Sequence, residues 1–128
     1  MDVVGKSFPE NVKNIVAAVQ PLMMPGGRLS AKSIAAEFEI STDQLAAQIG
    51  QPKQALSKKP DAPEVQELLR PYERVFHLRA IFSKSDFLAW LERPNREIDD
   101  SSPMELINAG HADIIADLVE DMLLGTPA

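Results

Sequence analysis

Cysteine is absent from the chain, which excludes a disulfide framework, a thiolate metal site and a cysteine nucleophile. Histidine is nearly as scarce: His77 and His111 are the only two, too few and too far apart to suggest a metal site by themselves. Aromatic residues make up 5% of the chain, with a single tryptophan and a single tyrosine. No apolar run approaches the length that crosses a bilayer, and the opening MDVVGKSFPENVKN lacks the basic start and apolar core of a secretory signal. A cytoplasmic protein without a membrane partner is therefore expected. Basic side chains are also in the minority, thirteen Lys and Arg against nineteen Asp and Glu, giving net −6. That balance argues against wholesale coating of nucleic acid while leaving room for a local basic patch. Gly26-Gly27 has neither the lysine nor the strand–helix setting of a phosphate loop, and no nucleophile–base pair can be picked out. No catalytic residue, cofactor or metal ligand is expected, and an enzyme is the last of the functional readings.

What is present is helix signal. The 128 residues, 45% apolar, suffice for one ordinary domain or two very small ones sharing a core. Val12, Ile15, Val16 and Val19 recur at the spacing of an amphipathic helix, with Pro9 near its start and Pro21, Pro25 and Gly26-Gly27 ending it. Ser30 can cap a second helix burying Ile34, Ala35 and Phe38. A third follows Ser41-Thr42, with Leu45, Ala46 and Ile49 inward, and ends at Gly50. A fourth starts at Pro52, whose missing N–H is harmless in a first turn, and ends before Pro60. From Pro63 a longer stripe runs through Val65, Leu68, Leu69, Tyr72, Val75 and Phe76 towards Phe82, and Pro71 predicts a kink or a meeting of two helices. Asp86 to Glu92 reads as a short helix with Phe87, Trp90 and Leu91 inward. Ser102-Pro103-Met104-Glu105 has the form of a capping box, opening a helix that ends at Gly110. The last helix carries Ile114, Ile115, Leu118, Val119, Met122 and Leu123 and stops at Gly125. Sustained alternation is missing throughout, so strands should be few or absent and the fold class all-α.

The segment from Thr42 to Lys59 fits a helix-turn-helix. Ala46 is small where the helices would cross, Gly50 supplies the turn, and Leu45, Ile49 and Leu56 would hold the pair together. Lys53, Gln54, Ser57 and Lys58 would then lie on the outer face of the second helix, as types that contact phosphates and base edges. A hairpin that only packs is the competing reading. Lys53, Lys58 and Lys59 cluster in an otherwise acidic chain, which favours DNA contact. Charge is split along the chain: residues 1–85 hold eleven basic and nine acidic side chains, residues 86–128 two and ten. Different partners for the two ends follow naturally. His77 and Trp90 read as structural and His111 as an exposed residue at a helix start. Asp113, Asp117, Glu120 and Asp121 read as the solvated face of the last helix.

Trp90-Leu91-Glu92-Arg93-Pro94-Asn95, then Ser102-Pro103-Met104-Glu105-Leu106-Ile107, then Gly110 and an apolar helix ending at Gly125, together resemble the Xre/MbcA/ParS-type antitoxin family. The upstream helix-turn-helix resembles that family's Xre-like part, and the likeness covers roughly residues 30–125. Ile98-Asp99-Asp100 stands where members often carry leucine–any–glycine. The resemblance implies N-terminal helices with an Xre-like helix-turn-helix over residues 1–62, then a linking helix and a small helical toxin-binding domain over 63–128. It implies an antitoxin of a type II pair that neutralises a RES-domain, NAD-depleting toxin and represses its own operon, as a homodimer, by binding operator DNA. On that reading the apolar anchors of the last helix, Ile115, Leu118, Met122 and Leu123, would bind toxin together with the tail Thr126, Pro127 and Ala128. Val12, Val16, Leu69 and Phe76 are candidates for a dimer seam. The alternatives are a stand-alone transcriptional regulator and an adaptor whose helix-turn-helix is vestigial.

Overall fold

The computed structural model describes residues 13–125. Pro9, Val12 and the tail Thr126 to Ala128 lie outside the described residues. A helix over residues 13–19, α1, leads into a 3-10 turn, Gln20–Leu22. Two short antiparallel strands follow, β1 (Met23–Met24) and β2 (Arg28–Leu29), pairing Met23 with Leu29 and Met24 with Arg28. The remainder is helical: α2 (Ala31–Phe38), α3 (Thr42–Gln48), α4 (Lys53–Lys58), α5 (Pro63–Phe76), α6 (Lys84–Glu92), α7 (Pro103–Asn108) and α8 (Ala112–Leu124). Among the described residues the hairpin is the only sheet, so the all-α expectation holds with that small addition.

Local chemistry accounts for most of the boundaries. Ser30, Ser41, Ser83 and Ser102 sit in extended backbone just before α2, α3, α6 and α7, and each hydroxyl accepts a hydrogen bond from the N–H three residues on. These caps satisfy donors that a first helical turn would otherwise leave orphaned. At Ser102 the box is complete, because Glu105 also accepts from the Ser102 N–H at 2.7 Å. The hairpin is turned by Pro25 and Gly26, closed by the Gly27 N–H on the Met24 carbonyl; Gly26 has φ +88, the sign a type II turn demands at its third position. Pro52 is the residue before α4 rather than its first helical one. α5 is a single helix through Pro71, rather than two helices meeting there.

One hydrophobic core joins all the helices. Phe38 of α2 stacks edge-on against Tyr72 of α5 and Phe87 of α6, with centroids 5.5 and 5.4 Å apart, and Phe76 meets Phe87 in the same manner. Such edge-to-face contacts add to the area each ring removes from water. Packing therefore crosses the expected boundary at residues 62 and 63 without interruption. α5 and α8 lie side by side and run in the same direction: Leu68 and Pro71 face Ala112 and Asp113, and Arg74 bonds Asp117 and Glu120 at 2.6 and 2.7 Å. Leu69 and Phe76, expected at a dimer seam, are fully enclosed in this core, because both face the inside of the monomer. Val16 alone of the described seam candidates is exposed, at 51%. No helix among the described residues is long and apolar enough to cross a membrane.

Candidate functional site

Two surfaces stand out from the packing, one basic and one apolar with an acidic edge. The first is built on α3 and α4. Leu45 and Ala46 of α3 and Leu56 of α4 are buried and Ile49 is half-buried, which is how the pair holds together. Gly50 adopts φ +70 in the connection, a conformation that disfavours any residue with a Cβ. Lys53, Gln54, Ser57 and Lys58 are all exposed. Their spacing over six residues places them on one side of α4. Lys53 makes an exposed ion pair with Asp43 of α3 at 3.5 Å; a pair of that kind contributes little to stability and exchanges readily for another anion. Lys58 and Lys59 extend the basic surface at the end of the helix.

Sequence reasoning missed Lys32. It belongs to α2, outside the helix pair, yet it lines the same groove as Lys53. Only the tertiary packing of α2 on α3 brings the two cations together, and no sequence spacing encodes it.

The second surface is on α8. Ile115 and Val119 are fully buried, while Ile114 and Met122 are 43% and 36% exposed and Leu118 is half-buried. The exposed apolar stripe is therefore Ile114, Leu118 and Met122, at i, i+4 and i+8. Ile115, expected as a docking anchor, faces the core instead, since it lies on the side of α8 that packs inward. Leu123 is partly buried and packs against the core. Asp113, Asp117 and Asp121 repeat at the same interval one position earlier and form an acidic edge beside the stripe. Arg74 compensates Asp117 and Glu120, and both carboxylates raise its already high pKa.

A polar relay runs from the buried Tyr72 and Gln48 out to the exposed Asn108 and Gln44. The Tyr72 hydroxyl donates to Gln48 Oε1 at 2.6 Å, and Gln48 Nε2 donates to Asn108 Oδ1 at 2.7 Å. Gln44 of α3 donates to the same Asn108 oxygen at 3.2 Å. The helix pair is thus fastened to α5 and α7 by side-chain bonds as well as apolar contact. His77, at the end of α5, is half-buried, and His111 is exposed before α8. No cluster of three His, Asp or Glu suited to a metal is found among the described residues. Compared with known proteins, the chain matches no family model, no curated protein and no solved structure.

Proposed function

We propose that the chain is the antitoxin of a type II pair, reading operator DNA with α3–α4 as a helix-turn-helix and covering a RES-domain toxin with α8. The observation that supports this reading is the segregation of the exposed surface. A lysine-bearing helix face lies at one site, and an apolar stripe edged by aspartates lies at another, within one acidic chain. Lys53 and Lys58 then meet phosphates, and Gln54 or Ser57 meets a base edge. Ile114, Leu118 and Met122 supply the buried contacts with toxin, while the neighbouring aspartates speed encounter and set specificity. Thr126, Pro127 and Ala128 follow α8 and are proposed to reach the toxin's active-site entrance. Two copies reading two half-sites is the arrangement that gives so small a motif useful affinity, and Val16 is the described residue proposed for that seam.

The test is a pair of assays on full-length protein. Charge reversal at Lys53 and Lys58 should abolish retardation of the upstream promoter region and leave the circular dichroism spectrum unchanged. Leu118→Asp with Met122→Asp should abolish co-purification with the toxin encoded beside the gene and leave cellular NAD unprotected. Removal of residues 126–128 should preserve the complex and lose protection. An anchor variant that folds, binds and protects fully overturns the toxin assignment. Promoter binding with no adjacent toxin favours the stand-alone regulator, and loss of neither activity by the lysine variant favours the adaptor.

A further inference from the structure

Beneath the α4 face, the ends of α2 and α3 leave a groove of about 480 Å³. Its size falls within the roughly 300–1,000 Å³ of small-molecule sites. Its covered part is mostly apolar: Ala31 and Leu56 are buried, and Met24 and Pro60 half-buried, beside the half-buried Ser30, whose hydroxyl is already engaged by the Ser33 N–H. The mouth is polar: Lys32, Thr42, Lys53 and Ser57 are all exposed. Asp43, beside the mouth, pairs with Lys53, and Lys32 has no ion-pair partner among the described residues.

We infer that this groove binds a small amphipathic anion, a carboxylate on a short aliphatic chain such as that of octanoate. The apolar floor takes the chain and removes it from water. The carboxylate takes a charge-assisted hydrogen bond from the Lys32 ammonium at the mouth and competes with Asp43 for that of Lys53. A neutral alcohol of the same length would leave Lys32 without a partner, and an amine would meet two cations against the single carboxylate of Asp43. Lys53 and Ser57 belong to both the groove and the DNA-facing side of α4, so the bound carboxylate competes with a backbone phosphate for Lys53. That competition rests on the DNA reading proposed above, whereas the binding site does not.

The experiment separates the two. Amide chemical shifts of the full-length protein are followed during titration with octanoate in the absence of DNA. Saturable shifts are expected at Ala31, Lys32, Thr42, Lys53 and Ser57. Lys32→Glu should weaken binding on the order of tenfold, as loss of one charged contact does. Thr42→Phe, an exposed position at the mouth, should block the groove and abolish the shifts in a protein whose spectrum is otherwise unchanged. Equal affinity for octylamine, shifts centred outside the groove, or no saturation by about 10 mM octanoate, weaker than the millimolar end of ligand affinities, overturns the site. In the gel shift, octanoate should reduce promoter retention by the wild type and not by Thr42→Phe. Undiminished wild-type retention at saturating octanoate overturns the competition.

Discussion

Gln48 is the residue on which the interior polar structure turns. It is 7% exposed, yet both ends of its amide are engaged, the oxygen by Tyr72 and the nitrogen by Asn108. Burial pushes the Tyr72 phenol well above its ordinary pKa, so it remains a donor throughout the working pH range. Tyr72→Phe would keep the ring against Phe38 but leave the Gln48 oxygen buried without its donor. Such an orphaned acceptor costs about 1–3 kcal/mol. Urea unfolding of the variant should show a lower midpoint at an unchanged slope; an unchanged midpoint would mean that water replaces the hydroxyl. The relay was not legible in the sequence. Gln48 stands after two alanines in an unexceptional helical pattern, and its partners are 24 and 60 positions away. Nothing local distinguishes it from an exposed glutamine.

At the level of elements, the turn between α6 and α7 carries the strain. The Asn95 side-chain oxygen accepts from the Glu97 N–H, and the Asn95 backbone carbonyl accepts from the Asp100 N–H. Asp99 and Asp100 both hold positive φ, +56 and +64. Aspartate tolerates that region better than most residues, but glycine adopts it without penalty. The position where the resembled family often carries glycine is thus held here by Asp100, and the turn forms with the backbone reversal a glycine would give. Asp100→Gly should therefore stabilise the protein by up to about 1 kcal/mol, less the greater freedom glycine gains when unfolded. A differential scan should show a higher midpoint; a fall would locate a favourable contact of the Asp100 carboxylate instead. Pro71 offers a parallel case in α5. Its ring leaves the Glu67 carbonyl without the usual helical N–H, so Pro71→Ala should raise the urea midpoint while preserving the stripe on either side. The helices themselves were legible because serine caps and terminal glycines are local chemistry, and the capping box at Ser102 could be read residue by residue. The hairpin was not, because strands of two residues show no alternation. The exposed face of α8 was only half legible: six apolar positions declared a helix, but which of Ile114 and Ile115 turns outward depends on where α5 and α7 pack.

For the whole molecule, the seam where α1, α5 and α8 converge is the place where proton uptake meets stability. Ile15, Leu123 and Leu124 line a small cavity there with Arg74, Glu120 and His77. Burial lowers the His77 pKa; Glu73 and Glu120 work to raise it, Arg74 lowers it further, and the net shift is downward. The folded protein therefore favours the neutral imidazole, while the unfolded chain protonates near the ordinary value of about 6.5. Between those two values the unfolded state binds more protons, so stability rises with pH across that window. The contribution is complete above the unfolded value and is lost as pH falls through the folded one. Thermal midpoints measured between about pH 7.5 and 5.5 should fall on acidification in the wild type. His77→Gln keeps a polar group of similar size without the titration, and it should flatten that part of the profile. An undiminished slope in the His77 variant would place the proton uptake elsewhere. A flattened one would show that protonation loosens the seam holding α8, the helix proposed to meet the toxin, against the rest of the fold.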